Sequence, residues 1–179
     1  MNNVMIDIET LSTANDAAVI SIGAVAFDID SGERSSGWHW QIDLASAMVN
    51  GRVDASTLKW WITQSNEAKM ASFEGKLSSL SAMRELTLLF EPDTFVWAKG
   101  PSFDVAILES LCRHLRIHAP WSHRNVMCVR TIIKLAKMQG FVEPDDIQGL
   151  TSHNPMDDAI YQAMVVHLAH KFMQKNRLP

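Results

Sequence analysis

The sequence predicts an α/β fold in which a mixed β-sheet is flanked by helices. Strand-like alternation of apolar and polar residues dominates the first 43 residues, and apolar residues at helical spacing dominate the chain from residue 56 onward. Two later strand-like segments interrupt these helices. An antiparallel start followed by strands that are joined through helices is typical of a mixed sheet with helices on both faces.

Composition is that of an ordinary globular protein. The 179 residues are 47% hydrophobic and 20% charged, a length that suits one domain over residues 1–179. No apolar run approaches the roughly 20 residues of a membrane span, and the first residues lack a signal-peptide pattern, so we expect a cytoplasmic protein. Two cysteines, Cys112 and Cys128, are too few for a disulfide framework, and we expect both to be reduced.

Three strands open the chain. Residues 4–10 form an apolar run, alternation over residues 18–29 predicts a second strand, and alternation resumes over residues 37–43. Turn-forming residues at 30–33 separate the second strand from the third. These segments predict an antiparallel meander.

Helical spacing follows the meander. Leu58, Trp61 and Ile62 predict the buried stripe of a helix that is capped by Asp54 or Ser56. After a break at residues 64–66, a second short helix continues to residue 73. A third helix, capped at residue 78 or 79, is expected to stop at residues 92–93, where proline and aspartate follow its last apolar positions.

The second half of the chain alternates strands with helices. Residues 94–99 predict a strand, and Ser102 is placed to cap the helix that comes next. Residues 125–129 predict a last short strand, followed by a helix over residues 130–139 and a polar loop or lid over residues 140–152. Asn154 as the cap and Pro155 at the first helical position begin a terminal helix, in which we expect Tyr161 to be a core residue.

The first strand carries two carboxylates. Because side chains alternate across a strand, Asp7 and Glu9 share one face while Ile6 and Ile8 share the other. A mostly apolar strand would tolerate this pair of like charges if a cation lay between them, and a divalent metal ion is the natural candidate. The alternative is an edge strand with both acids in water.

Two later segments add candidates for the same site. Asp104 lies in the first turn of a helix that follows a strand, and His153 precedes Asp158 by five positions at the start of the terminal helix. Each feature also has a structural interpretation, since acids at a helix N-terminus contribute roughly 0.3–1 kcal/mol of stability. The order and setting of these residues favour a shared site over separate caps.

Together these residues resemble the DEDDh exonucleases of the ribonuclease H-like fold. The motifs that carry the resemblance are Asp7-Ile8-Glu9-Thr10, Gly100-Pro101-Ser102-Phe103-Asp104, and the segment from His153 to Asp158. Two segments, Leu58-Lys59-Trp60-Trp61 and Cys128-Val129-Arg130-Thr131, are similar to the phage and prophage branch that includes the exodeoxyribonuclease VIII nuclease domain and small bacterial exoribonucleases. The tyrosine subclass is disfavoured because Asn154 stands where it has tyrosine.

The resemblance implies a metal-dependent 3'-5' exonuclease that hydrolyses terminal phosphodiesters of single-stranded DNA or RNA. It implies two divalent ions, Mg2+ or Mn2+, a homodimer, and a histidine general base, His153. The implied metal ligands are Asp7, Glu9, Asp104 and Asp158. The implied contacts to the substrate 3' end are Thr10, Leu11, Phe103 and Arg130. One departure is Lys99, which lies in the approach to the second motif, where many members carry an asparagine.

Substrate contacts are open to more than one interpretation. Trp60 or Trp40 could stack on bases, and Arg130 could form either a structural ion pair or a substrate contact. The basic residues of segment 113–124 form either a phosphate-binding patch or a solvated helix face. The net charge of −4 argues against broad attraction to polyanions, but not against a substrate held at one end through metal ions.

Two other functions remain alternatives. One is an endonuclease of the same fold. The other is a catalytically silent exonuclease-like domain that binds nucleic acid or protein. The residue pattern also leaves DNA and RNA open as substrates, because discrimination between them depends on contacts to the 2'-OH.

Overall fold

A computed structural model describes residues 1–145 and 149–176 of the chain, and within them five strands form one sheet in the order β3-β2-β1-β4-β5. β1 pairs antiparallel with β2, and β2 pairs antiparallel with β3. β1 pairs parallel with β4, which pairs parallel with β5. The predicted mixed sheet with an antiparallel N-terminal meander is confirmed. The strands are β1 (Asn3–Thr10), β2 (Val19–Phe27), β3 (Trp38–Gln41), β4 (Phe95–Ala98) and β5 (Val126–Cys128).

Helices surround this sheet, and several begin at the predicted caps. The side chains of Ser78 and Asn154 each accept a hydrogen bond from a backbone N–H in the first turn of their helices. The helices are α1 (Leu44–Asn50), α2 (Ala55–Thr63), α3 (Asn66–Phe73), α4 (Ser79–Thr87), α5 (Asp104–Leu115), α6 (Val129–Lys137) and α7 (Pro155–Lys175).

The two faces of the sheet bury separate apolar clusters. Along β1, Val4, Ile6 and Ile8 point into the cluster that includes residues of α2, α4 and α5. Met5 points to the opposite face, where α6 and α7 cover the sheet. Since Asp7 and Glu9 continue the Met5 face, alternation directs both carboxylates toward α7.

Three predictions about the helices are wrong, and one helix was missed. Ser102 does not cap α5, because the helix begins at Asp104 and Ser102 is exposed. α4 ends at Thr87, before the proline that was expected to stop it. In α2 only Trp61 is buried, while Leu58 and Ile62 are 39% and 75% exposed. α1 was not predicted, because Ala47 is its one buried residue and no apolar stripe marks it.

Further predictions concerned the two cysteines, Tyr161 and the loop before α7. Cys112 and Cys128 are both free. Tyr161 is half-buried against the α6 and α7 cluster, and its hydroxyl donates a hydrogen bond to the Pro144 carbonyl at 2.8 Å. The predicted loop over residues 140–152 is irregular where it is described, and its residues 146–148 lie outside the described part. Among the described helices, none has the length and apolar character that a membrane crossing requires.

Candidate active site

The acids of β1 meet the start of α7 because a glycine lets the helix approach the sheet. Gly23 of β2 pairs with Asp7 across the ladder. A Cβ at this position would lie 2.1 Å from the backbone carbonyl of Pro155, the first residue of α7. Glycine in a strand often marks such a close backbone approach. The N-terminus of α7, with Asp158 in its first turn, therefore lies beside Asp7.

Asp104 reaches the same place from β4. β1 and β4 run parallel, so their carboxyl ends meet at one edge of the sheet, and α5 begins just after β4. The result is a cavity of about 280 Å³ that all five candidate catalytic residues line. The lining includes Asp7, Glu9, Asp104, His153 and Asp158, together with Lys99, Gly100, Phe103, Arg130 and Gln162.

His153 is held from three sides. Its backbone has a φ of 63°, and its N–H donates to the Asp158 carboxylate at 3.0 Å. The imidazole Nδ1 lies 3.7 Å from Oε1 of Glu9, an ion-pair distance that is too long for a hydrogen bond. The ring also packs edge-on against Trp60. The backbone and both neighbours therefore fix the imidazole over the acidic residues.

Asp104 is 6% exposed and lies at the N-terminus of α5. Burial raises its pKa to about 6, although backbone N–H groups and the Arg130 guanidinium act in the opposite direction. Arg130 reaches this point over Gly100, where a Cβ would lie 2.7 Å from the arginine Nη1. No ion pair within 4 Å involves Arg130 in the described part of the chain, so the structural ion pair considered for it is not formed.

The remaining acids also titrate above their usual range. Burial raises the pKa of Asp7, and the carboxylates of Asp104, Asp158 and Glu9 raise it further. Burial likewise raises the pKa of Glu9 and Asp158. The Glu9 carboxylate raises the pKa of His153. A cluster of partly buried acids that repel each other is a site that favours bound cations.

One subset of these side chains is spaced closely enough to share a metal ion. Ligand atoms of Glu9, His153 and Asp158 all lie within 4.8 Å of one another. Asp7 and Asp104 line the same cavity without belonging to this group. The structure thus brings together all the predicted metal ligands, and their individual roles remain predictions.

The predicted substrate contacts divide into two groups. Phe103 and Arg130 line the cavity, whereas Thr10 and Leu11 are buried and do not. Trp40 is 4% exposed and donates its indole N–H to Glu85 at 2.8 Å, so the prediction that it could stack on a base is wrong. The basic residues of segment 113–124 lie outside the lining of this cavity.

Comparison with known proteins gives the family. Residues 2–170 match the model of a family described as the 3'-5' exoribonuclease Rv2179c-like domain. The chain belongs to this family. The prediction that the chain belongs to an exonuclease family is confirmed. Exonucleases are hydrolases, so the predicted enzyme class is confirmed as well.

Relatives of this exoribonuclease-like domain include an exodeoxyribonuclease of Enterobacteria phage T4. It is 28% identical over 131 residues, which cover 65% of this chain and 58% of the phage protein. The chain therefore spans little more than half of that relative.

Solved structures confirm the ribonuclease H-like fold. The nuclease domain of 3'hExo, a DEDDh family member bound to rAMP, has a TM-score of 0.59 at 10% identity, covering 97% of this chain and 92% of that one. Cell-death related nuclease 4 has a TM-score of 0.64 at 14% identity, with 94% and 63% covered. E. coli exonuclease I in complex with a dT13 oligonucleotide has a TM-score of 0.63 at 15% identity, with 98% and 41% covered.

Sequence reasoning missed three residues that shape the site of this exoribonuclease-like domain. Gly23 and Gly100 allow close approaches, and Gln162 contacts Asp7. A glycine inside the β2 pattern was a usable signal for a close approach. Gln162 could have been found as a polar residue one turn after Asp158, on the face of α7 that meets the sheet.

Proposed function

We propose that this protein is a metal-dependent 3'-5' exonuclease that hydrolyses the terminal phosphodiester of single-stranded nucleic acid. The observation that supports this proposal is the convergence of four carboxylates and one histidine on a single cleft. Two cationic side chains, Lys99 and Arg130, lie in the same lining, where they can contact phosphate. A phosphodiester substrate suits this combination of acids and cations when metal ions offset the acids.

The donor set fits divalent cations. Burial and mutual repulsion raise the pKa of Asp7, Glu9, Asp104 and Asp158, so a positive charge among them relieves an unfavourable arrangement. Carboxylate oxygens are the hard ligands that Mg2+ and Mn2+ prefer. These four residues would hold two such ions. When bound, the ions supply Lewis acidity toward the phosphate and lower the pKa of the attacking water.

His153 is the general base of the proposed reaction. Its Nδ1 faces Glu9, which leaves Nε2 to accept a proton from water. Glu9 stabilises the imidazolium that results, because the carboxylate lies at ion-pair distance. Phe103 in the cleft lining, and the exposed part of Trp60 beside His153, offer aromatic surfaces on which a base can stack.

The preferred sugar is left to experiment because the relatives differ. The family model describes an exoribonuclease domain, whereas the phage relative is an exodeoxyribonuclease. E. coli exonuclease I has been crystallised with DNA. A single domain over residues 1–179, a homodimer and a cytoplasmic location remain predictions.

The test is a time course on 5'-labelled single-stranded DNA and RNA of one sequence, with Mg2+, with Mn2+ or with EDTA. We expect a ladder that shortens from the 3' end, requires metal, and is absent for Asp7→Asn. Asp93→Asn, an exposed acid outside the cleft, is the matched control and should act as the wild type does.

Two outcomes would contradict the proposal. Cleavage of a circular single strand would show an endonuclease. Intact substrates under every condition, with retained binding to the oligonucleotides, would support the catalytically silent binding module.

A further inference from the structure

Gln162 is a buried amide that contacts the acidic cluster. It lies one helical turn after Asp158 on α7 and is 3% exposed. Its Nε2 donates a hydrogen bond to Oδ1 of Asp7 at 2.7 Å. Its carbonyl oxygen, Oε1, is buried and has no hydrogen-bond partner within the described residues.

The orientation of this amide follows from the charge of its neighbour. With Nε2 toward Asp7, the amide donates to a carboxylate oxygen, and this hydrogen bond favours the charged form of Asp7. A rotated amide would direct Oε1 at the same oxygen, and two acceptors repel each other. In this orientation the amide complements the ionised Asp7 carboxylate, which is the form that binds a cation.

The unpartnered Oε1 indicates that this side chain is not optimal for folding. A buried carbonyl without a partner is unfavourable, and an apolar side chain of similar size would avoid that cost. The neighbouring α7 residues Ala163, Val165 and Val166 are apolar and buried. The amide is thus explained better by its contact to Asp7 than by packing.

We propose that Gln162 is a positioning residue for the metal site, and this inference rests on the proposed function. Its N–H fixes the Asp7 carboxylate through Oδ1 and leaves Oδ2 for a divalent ion. Residues that orient metal ligands in this way commonly affect metal affinity by roughly 10- to 100-fold.

The test measures Mn2+ binding directly, by calorimetry and by the electron paramagnetic resonance signal of free Mn2+. The variant is Gln162→Met, which keeps a similar volume without a donor. Gln174→Met is the matched control, since Gln174 also donates to an aspartate, Asp30 at 3.0 Å, from the exposed end of the same helix. Asp7→Asn serves as the variant that loses a ligand.

We expect Gln162→Met to bind Mn2+ roughly 10- to 100-fold more weakly than the wild type, and Gln174→Met to bind it normally. Raised Mn2+ should restore nuclease turnover in Gln162→Met. Because a bound ion also stabilises the folded state, urea unfolding of the variant and of the wild type in EDTA is compared to exclude a folding defect. If Gln162→Met fails to fold, Gln162→Asn decides, because it keeps the amide but is too short to reach Asp7.

The outcomes separate this inference from the proposed function. A wild-type protein that binds no Mn2+ would contradict the proposed function itself. Wild-type binding that is lost in Asp7→Asn but unchanged in the folded Gln162 variants would overturn the positioning role alone.

Discussion

The indole of Trp60 packs edge-on against the imidazole of His153, with ring centroids 4.9 Å apart and ring planes at 88°. Trp60 also packs against Trp61 at 5.0 Å. Trp61 is 2% exposed, and its indole N–H donates to the Thr10 carbonyl at the end of β1 at 2.9 Å. Helix α2 thus connects the strand that carries Asp7 and Glu9 to the histidine above them.

Trp60→Ala should lower turnover by about 2- to 10-fold, because an aromatic pair contributes roughly 0.5–1.5 kcal/mol and its loss frees the imidazole to move. Trp60→Phe should retain most activity, since a ring remains beside His153. Steady-state kinetics on a single-stranded oligonucleotide measures both. Ile62→Ala, exposed on the same helix, controls for damage to α2. Equal turnover in Trp60→Ala and the wild type would remove the tryptophan from this role.

His153→Ala should lower turnover by roughly 10²- to 10⁴-fold, the range expected for loss of a general base. Mn2+ binding should be largely retained, because the four carboxylates remain. Calorimetry and single-turnover kinetics on one preparation distinguish the two effects, with the exposed His118→Ala as the control. Since Nδ1 or Nε2 of His153 can join Glu9 and Asp158 in a ligand group, a parallel loss of Mn2+ affinity would show that it is a metal ligand.

The acidic cluster should make the metal-free protein less stable as the pH rises. Burial raises the pKa of Asp104 from 3.8 to about 6 in the folded protein, so the folded state holds this proton more tightly than the unfolded state. That contribution is present below the unfolded pKa and is lost as the pH rises through about 6. The raised pKa values of Asp7, Glu9 and Asp158 act in the same direction.

Asp104→Asn should therefore raise the free energy of unfolding in EDTA near pH 7 by roughly 1–3 kcal/mol, and should reduce its pH dependence. Urea unfolding at about pH 5 and about pH 7.5 measures this effect, and Asp93→Asn is the exposed control. A variant that is less stable than the wild type at neutral pH would show that the hydrogen bonds of the carboxylate outweigh its burial.

Local patterns predicted most of the fold because they depend on neighbours in sequence. An apolar run located the first strand of the meander and alternation located the other two, while the caps at Ser78 and Asn154 follow from the hydrogen bond that each side chain can form with its own first turn. The acids of β1 were placed on one face by the same periodicity, and the fold turns that face toward α7.

Features that depend on distant contacts were not predicted. Ile62 belongs to an apolar pattern, but no described element covers it, and it stays exposed. Trp40 is buried in an apolar cluster, and its indole N–H donates to Glu85 of α4, a partner 45 residues away. The side chain of Gln162 is hydrogen-bonded to Asp7, which lies 155 residues away in the sequence. Periodicity reports which face of an element is apolar, not which residue will lie opposite a given side chain.

Arg130 and Gly100 provide a test of the substrate contact that does not delete a charge. The Arg130 guanidinium lies over Gly100, and a methyl group at position 100 would lie 2.7 Å from Nη1, which is too close, so the guanidinium would have to shift. Gly100 does not have a positive φ, and a flexible arginine can move aside, so Gly100→Ala should fold normally. The displaced guanidinium should bind phosphate less well.

Arg130→Ala should weaken binding to single strands and lower the slope of log affinity against log salt by about 0.7, the value for one phosphate contact. Gly100→Ala should reproduce part of this change with no change in net charge. Lys134→Ala, an exposed cation on the same helix, removes an equal charge away from the cleft and should leave the slope close to that of the wild type. If Arg130→Ala and Lys134→Ala behave alike, the arginine acts only through net charge, and the phosphate contact is contradicted.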